Sequence, residues 1–171
     1  RNSNQGAAFD DLVAALAARP PVIVEGTAIF LTQDLGVAPP TLLHNLKHNK
    51  ALHHTNILLK VETVSTPYVA AQDRLVLERI DDRFVRARLR YGYMDTIDVP
   101  SDLARGGSLL ADRGGTSFFV GRSAIRFATR PVLPRWITAL YMFLHRNSAD
   151  PTAWFAIPPN RVVELGSQIE L

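Results

Sequence analysis

From Val85 to Tyr91 the chain alternates without a break between apolar and cationic residues, Val-Arg-Ala-Arg-Leu-Arg-Tyr. A period of two sends successive side chains to opposite faces of a strand, so Arg86, Arg88 and Arg90 share one face and Val85, Ala87, Leu89 and Tyr91 the other. Asp81-Asp82-Arg83, upstream, reads as a tight turn between two strands, residues 74 to 80 and 84 to 93. The two runs therefore form an antiparallel hairpin. Any fold for this chain has to contain that hairpin and keep one of its faces covered.

The hairpin sits among elements that alternate. Residues 9 to 18 have helical apolar spacing and abundant alanine, and Pro20-Pro21 stops them; residues 22 to 32 are β-rich; Pro39-Pro40 opens a second helix; residues 56 to 64 form another strand. Residues 99 to 105 predict a short helix, 117 to 127 a strand broken at Gly121, 135 to 146 a helix, and 161 to 171 a closing strand or pair. Gly106-Gly107 and Gly114-Gly115 bracket a loop. An alternating pattern with one intervening hairpin predicts an α/β (α+β) fold, a mixed β-sheet flanked by helices, in place of an all-parallel sheet. At 171 residues and 47% hydrophobic content the chain is sized for one domain with a real core.

Composition narrows the function classes. The formal charge of +3 is a weak basic bias, and no nucleic-acid partner is expected from it. The absence of cysteine removes disulfide frameworks and thiolate metal sites. The longest apolar run, residues 136 to 144 apart from Thr138, falls short of the roughly 18 residues a spanning helix needs. The polar start, Arg1 to Gly6, lacks the apolar core of a signal peptide.

Two clusters stand out as binding candidates. In the helix after Pro40, Leu42, Leu43 and Leu46 fall on one side, while His44 and His48 fall on the other with Lys47 nearby. Such an i, i+4 pair can hold zinc, with His53 or His54 as a third ligand, but the glutamate of H-E-x-x-H is missing and a solvated polar face is the simpler reading. The Arg86, Arg88, Arg90 face can clamp phosphate oxygens, or it can be an exposed sheet face balanced by cross-strand acids such as Glu78. Asp81, Asp82, Asp95, Asp98 and Asp102 lie beside turns and helix starts, where capping explains them better than carboxylate catalysis. No phosphate-binding glycine motif and no G-x-S-x-G elbow occurs, so no catalytic residue, metal or cofactor is assigned. Trp136, Leu140, Tyr141, Phe143 and Leu144 cover more than one narrow stripe of their helix, which predicts a second buried side, here a homodimer interface.

Several blocks carry a family resemblance. They are residues 26 to 32 (Gly-Thr-Ala-Ile-Phe-Leu-Thr), the His-rich run 42 to 61, Arg90-Tyr91-Gly92-Tyr93-Met94, Asp98-Val99-Pro100, residues 116 to 122, Phe143-Leu144-His145-Arg146-Asn147 and residues 157 to 166. In this order the chain resembles the C-terminal cytosolic region of the Kup (KUP/HAK/KT) potassium uptake permeases. The resemblance implies a linker helix over residues 1 to 24 and a regulatory or assembly domain over 25 to 171, with the conducting part outside this chain, which is then expected to be soluble alone. It also implies a partner in the transmembrane part of the same proton-coupled importer, where potassium is bound, and a place on the cytoplasmic face of the bacterial inner membrane. Some related potassium transporters respond to cyclic di-AMP, and the Arg86, Arg88, Arg90 face is where such an effector is sought. The alternative is a free-standing anion- or nucleotide-binding module built on the same face and on His44, Lys47 and His48.

Overall fold

The computed structural model describes residues 8–107, 115–124 and 155–168. Six strands form one sheet: β1 (Val22–Leu31), β2 (Ala51–Val64), β3 (Leu75–Arg79), β4 (Phe84–Gly92), β5 (Thr116–Ala124) and β6 (Val162–Gln168), in the order β3-β4-β2-β1-β5-β6. The pairs β4-β2, β2-β1, β1-β5 and β5-β6 are parallel, and β3 joins β4 antiparallel at one edge. The sheet is therefore mixed, as the hairpin requires. The remaining elements are α1 (Phe9–Ala18), α2 (Pro40–Asn49), α3 (Ala71–Arg74), α4 (Val99–Ala104) and a 3-10 turn at Pro159–Arg161.

Helices cover both faces, as a mainly parallel sheet demands. On one face Phe9 and Val13 of α1 and Leu42 of α2 pack against Phe30, Leu58, Phe84 and Phe119. On the other, Val99 and Leu103 of α4 pack against Ile29, Ile57, Leu59, Ala87, Leu89, Tyr91 and Phe118. The central strands are buried on both sides, which is why residues 27 to 30 and 56 to 59 read as continuous apolar runs with Thr27 and Asn56 as the polar exceptions. Aromatic contacts fix the first layer. Phe9 meets Phe84 edge-on at 5.5 Å between centroids, and Phe30 stacks on Phe119 at 4.8 Å.

Among the boundaries that differ from the sequence-based expectation, three bear on the candidate residues. β2 begins at Ala51, not near residue 56, because its partner β1 already offers a ladder from Val22; His53 and His54 are thus strand residues. Arg74 closes α3 instead of opening β3, and β4 stops at Gly92, leaving Tyr93 in a turn. The register of β1 against β2 shifts by one residue between Val24 and Thr27, where Gly26 has φ 105°. An extra residue in a left-handed conformation forms a bulge there, and glycine takes it without a Cβ clash. The helix expected over 135 to 146, with Trp136, Leu140, Tyr141, Phe143 and Leu144, lies outside the described residues.

The geometry of α1 sets the direction of chain entry. The amide of Phe9 donates to the Gly36 carbonyl at 3.0 Å, and Ala8 bridges Val37. Both partners belong to the loop after β1, at the end of the sheet where the parallel strands finish. From there α1 runs back toward the start of β1, so Ala8 and the first turn of α1 lie at the carboxyl end of β1.

Candidate functional site

The arginine face is where the alternation puts it, but its three members differ in circumstance. Arg86 is only 15% exposed. Its Nη2 donates to Asp10 Oδ1 at 2.7 Å, its Nε donates to the Leu35 carbonyl at 3.0 Å, and its guanidinium lies 5.2 Å from the centroid of the Phe9 ring. A looser contact reaches Glu78 at 3.5 Å. This side chain ties α1 and the loop after β1 to the sheet. Charge-assisted hydrogen bonds and the ring contact together make it a structural anchor.

Arg88 and Arg90 are different. Beyond the reach of α1, they are 48% and 46% exposed, and both approach a single carboxylate, Glu62 on neighbouring β2, at 3.8 and 3.9 Å. Lys60 reaches the same Glu62 at 3.4 Å. Three cations thus share one acid on a strip that runs toward the carboxyl end of β2 and β4. Such long, solvent-exposed pairs contribute little to stability, so the strip keeps a surplus of positive charge available to a partner.

At the tip of that strip lies a turn that the sequence reading overlooked. The amides of Tyr93 and Met94 donate to the carbonyls of Thr66 and Pro67 at 3.0 and 2.9 Å, joining the loops that leave β4 and β2. Tyr68, Tyr93 and Met94 are 63%, 62% and 58% exposed on it. The available signal was the pair Tyr93-Met94 directly after Gly92: two large apolar residues beyond a strand end have no sheet face to enter.

Beneath the turn is a buried polar network. Asp95 accepts from the amides of Gly92 and Val69 at 2.7 and 2.9 Å and from Arg74 at 2.6 Å. The hydrogen bond from the Val69 amide leads the causes that hold its carboxyl below the usual carboxylate range, with Gly92 and Arg74 adding to it. Asp102 is buried, accepts the Tyr91 hydroxyl at 2.8 Å and lies 3.5 Å from Arg74 and 3.6 Å from Arg105. Burial, and then the bond to Asp102, push the Tyr91 hydroxyl far up. Asp98 caps α4 through the Ser101 amide, and Asp81 caps the hairpin turn through the amides of Arg83 and Phe84. Capping therefore accounts for Asp81 and Asp98. It does not account for Asp102, whose partners are side chains that sequence separation hides.

The histidine patch is solvated. His44, Lys47 and His48 are exposed on α2 while Leu42 is buried, as the helical spacing implies. The His44 and His48 rings stack at 5.5 Å with 30° between planes, and no group of three metal-ligating side chains occurs among the described residues. His53 packs edge-on against Phe119 at 6.0 Å, its Nδ1 is buried without a hydrogen bond among the described residues, and burial lowers its pKa. A cavity of about 190 Å³ lies between α4 and the sheet, lined by Thr27, Ile29, Ile57, Leu103, Phe118 and Arg161 among others. It is mainly apolar, and the Thr27 hydroxyl is buried with no partner among the described residues.

No helix among the described residues is long and apolar enough to cross a membrane. Residues 25–171 match the family model for the K+ potassium transporter C-terminal domain. The chain is 71% identical over its whole length to the probable potassium transport system protein Kup 2 of Novosphingobium aromaticivorans, covering 27% of that protein. It is 48% identical over 98% of its length to Kup 1 of Rhizorhabdus wittichii, and 45% identical over 97% to Kup of Xanthomonas oryzae pv. oryzae, covering 26% and 27% of those proteins. The chain thus spans about a quarter of the length of the curated relatives it matches. No solved structure matches it. With its matched residues and its relatives in agreement, this chain belongs to the family of K+ potassium transporter C-terminal domains, the domain carried by Kup potassium transport proteins.

Proposed function

We propose that this chain is the cytosolic C-terminal domain of a proton-coupled potassium importer and acts as a non-catalytic regulatory and assembly unit. The observation that carries the reading is its full-length match, at 71% identity, to about a quarter of a protein named for potassium transport. The route of the chain supports it. Ala8 and the start of α1 lie at the carboxyl end of β1, and a membrane part joined ahead of them is taken to lie over that end. Residues 1 to 24 serve as the connection, with α1 pinned to the sheet through Phe9 and the Arg86–Asp10 pair. A displacement of that connection would then be felt by the sheet. Regulation of this kind needs a ligand or contact that prefers one conformational state, since equal affinity for both shifts nothing.

The test is uptake by the whole protein in a bacterium that lacks its own potassium importers, with and without the codons for residues 25 to 171. Loss or deregulation of uptake on truncation is expected, together with cleavage of the tail by protease in inside-out vesicles alone. Unchanged uptake would remove the regulatory and assembly role. The homodimer expected from the helix at 135 to 146 is read separately by light scattering over a concentration series; a mass near 18.9 kDa throughout would exclude it.

A second reading, an anion- or nucleotide-binding module with cyclic di-AMP among its ligands, draws on the surplus charge of Arg88 and Arg90. Because Arg86 already serves Asp10 and Leu35, such a clamp has two accessible guanidinium groups instead of three. Titration with cyclic di-AMP and simple nucleotides, against the Arg88→Gln/Arg90→Gln variant, decides it.

A further inference from the structure

We propose that the carboxyl end of the β2–β4 half of the sheet is a docking surface for an anionic lipid bilayer, with Lys60, Arg88 and Arg90 as its charged flank and Tyr68, Tyr93 and Met94 as its tip. The proposal deepens the tail reading and takes from it only the location of the membrane.

Three observations point to that occupant. First, the cations are accessible and undercompensated: among the described residues, Arg88, Arg90 and Lys60 pair with one acid, Glu62, at 3.4 to 3.9 Å. A surplus of this kind near a surface carrying phosphate headgroups is attractive, and guanidinium groups match phosphate oxygens with two parallel donors. Second, the exposed residues at the tip are two tyrosines and a methionine. Tyrosine is suited to a water–lipid boundary, with an apolar ring and a polar end, and methionine is a flexible apolar filler. Asp95, the acid beneath the tip, does not oppose the approach, because its side chain is 3% exposed and neutralised by Arg74.

Third, these groups continue the same sheet face that holds the start of α1. Arg86 holds Asp10 in the first turn of α1, and Arg88 and Arg90 are the next two residues of the same face toward the strand end. A strand advances about 3.3 Å per residue, so the strip runs roughly 20 Å from Arg86, which holds α1, to the turn at Tyr93. A surface with a few cations and three apolar side chains binds vesicles weakly by itself. Attachment to a membrane part raises its effective concentration at the bilayer, which makes weak contacts sufficient.

The experiment is co-sedimentation of the 171-residue chain with vesicles of phosphatidylcholine alone and with about 30% phosphatidylglycerol, at about 0.05 M and 0.5 M salt. Preferential, salt-sensitive partition onto the anionic vesicles is expected. The Lys60→Gln/Arg88→Gln/Arg90→Gln variant should lose about fivefold per removed cation. Tyr93→Ser/Met94→Ser should lower partition at both salt concentrations, and Glu62→Gln should raise it, a gain that misfolding would not produce. Equal partition of the parent onto both vesicles, or variants that bind as the parent does, would overturn the proposal. So would loss of partition in millimolar inorganic phosphate, which would mark a site for free anions. Failure here leaves the tail reading untouched, since that rests on uptake and protease access in the whole protein.

Discussion

Gly92 leaves no room for a side chain. A Cβ there would fall within the van der Waals envelope of the Pro67 carbonyl and the Tyr68 amide, backbone groups that the hydrogen bonds from Tyr93 and Met94 hold in place. Gly92→Ala is expected to destabilise the chain by about 1–3 kcal/mol, as overpacking does, read from urea denaturation. His53 makes a separate residue-scale prediction. Its folded pKa lies below the ordinary 6.5 because burial disfavours the charged ring. The unfolded chain therefore binds more protons, and stability present above 6.5 declines as pH falls toward the folded value. His53→Gln should flatten that slope in denaturation curves taken between about pH 7 and 5. Asp95, with its depressed pKa, acts in a lower window: its stabilisation is present above the ordinary 3.8 and is lost below it as the carboxyl takes up a proton.

Two junctions between elements depend on few side chains, and their loss is correspondingly specific. α1 is fastened by Phe9, fully buried against Phe84, and by Arg86. Phe9→Ala is expected to cost about 3–5 kcal/mol. Arg86→Ala should expose the amides of α1 to hydrogen exchange before those of β2 and β4, since the strands keep their own ladder. On the opposite face, α3, the end of β4 and α4 meet at Tyr91, Arg74 and Asp102. Asp102→Ala removes the acceptor of the Tyr91 hydroxyl and leaves Arg74 one partner short. The expected loss is about 3 kcal/mol, and Asp102→Asn, which keeps an acceptor, should lose less. Thermal melts of the two variants side by side check the ordering.

Across the whole molecule the two ends of the sheet are chemically unlike. The His44, Lys47 and His48 patch lies on α2, whose last turn leads into the start of β2, whereas the arginine and tyrosine strip lies at the carboxyl end, where α1 begins. If the carboxyl end faces a bilayer, amide exchange in residues 66 to 68 and 93 to 94 should slow on anionic vesicles while α2 is unaffected. Slowing confined to α2 instead would assign the membrane-facing role to the wrong end. The mixed order β3-β4-β2-β1-β5-β6 makes this polarity possible, because five parallel strands place all their departing loops on one side.

The hairpin, the helix after Pro40, the cap at Asp98 and the covered face of β4 were all legible in the sequence, because each follows from neighbours within a few residues: alternation, a turn aspartate, a proline at a helix start. The shared identity of the chain with potassium transporter C-terminal domains was legible for the same local reason, as blocks of wording in order. What those patterns could not express is which distant groups meet. Arg86 and Asp10 are 76 residues apart, and Arg86 and Leu35 are 51 apart. That separation turned one of three seemingly equivalent arginines into an anchor and left the other two facing solvent. Likewise Asp102 reads as a helix-start aspartate until the fold brings Tyr91 to it. Periodicity assigns a residue to a face, but only the packing of one element on another decides whether that face meets protein or remains open to a partner.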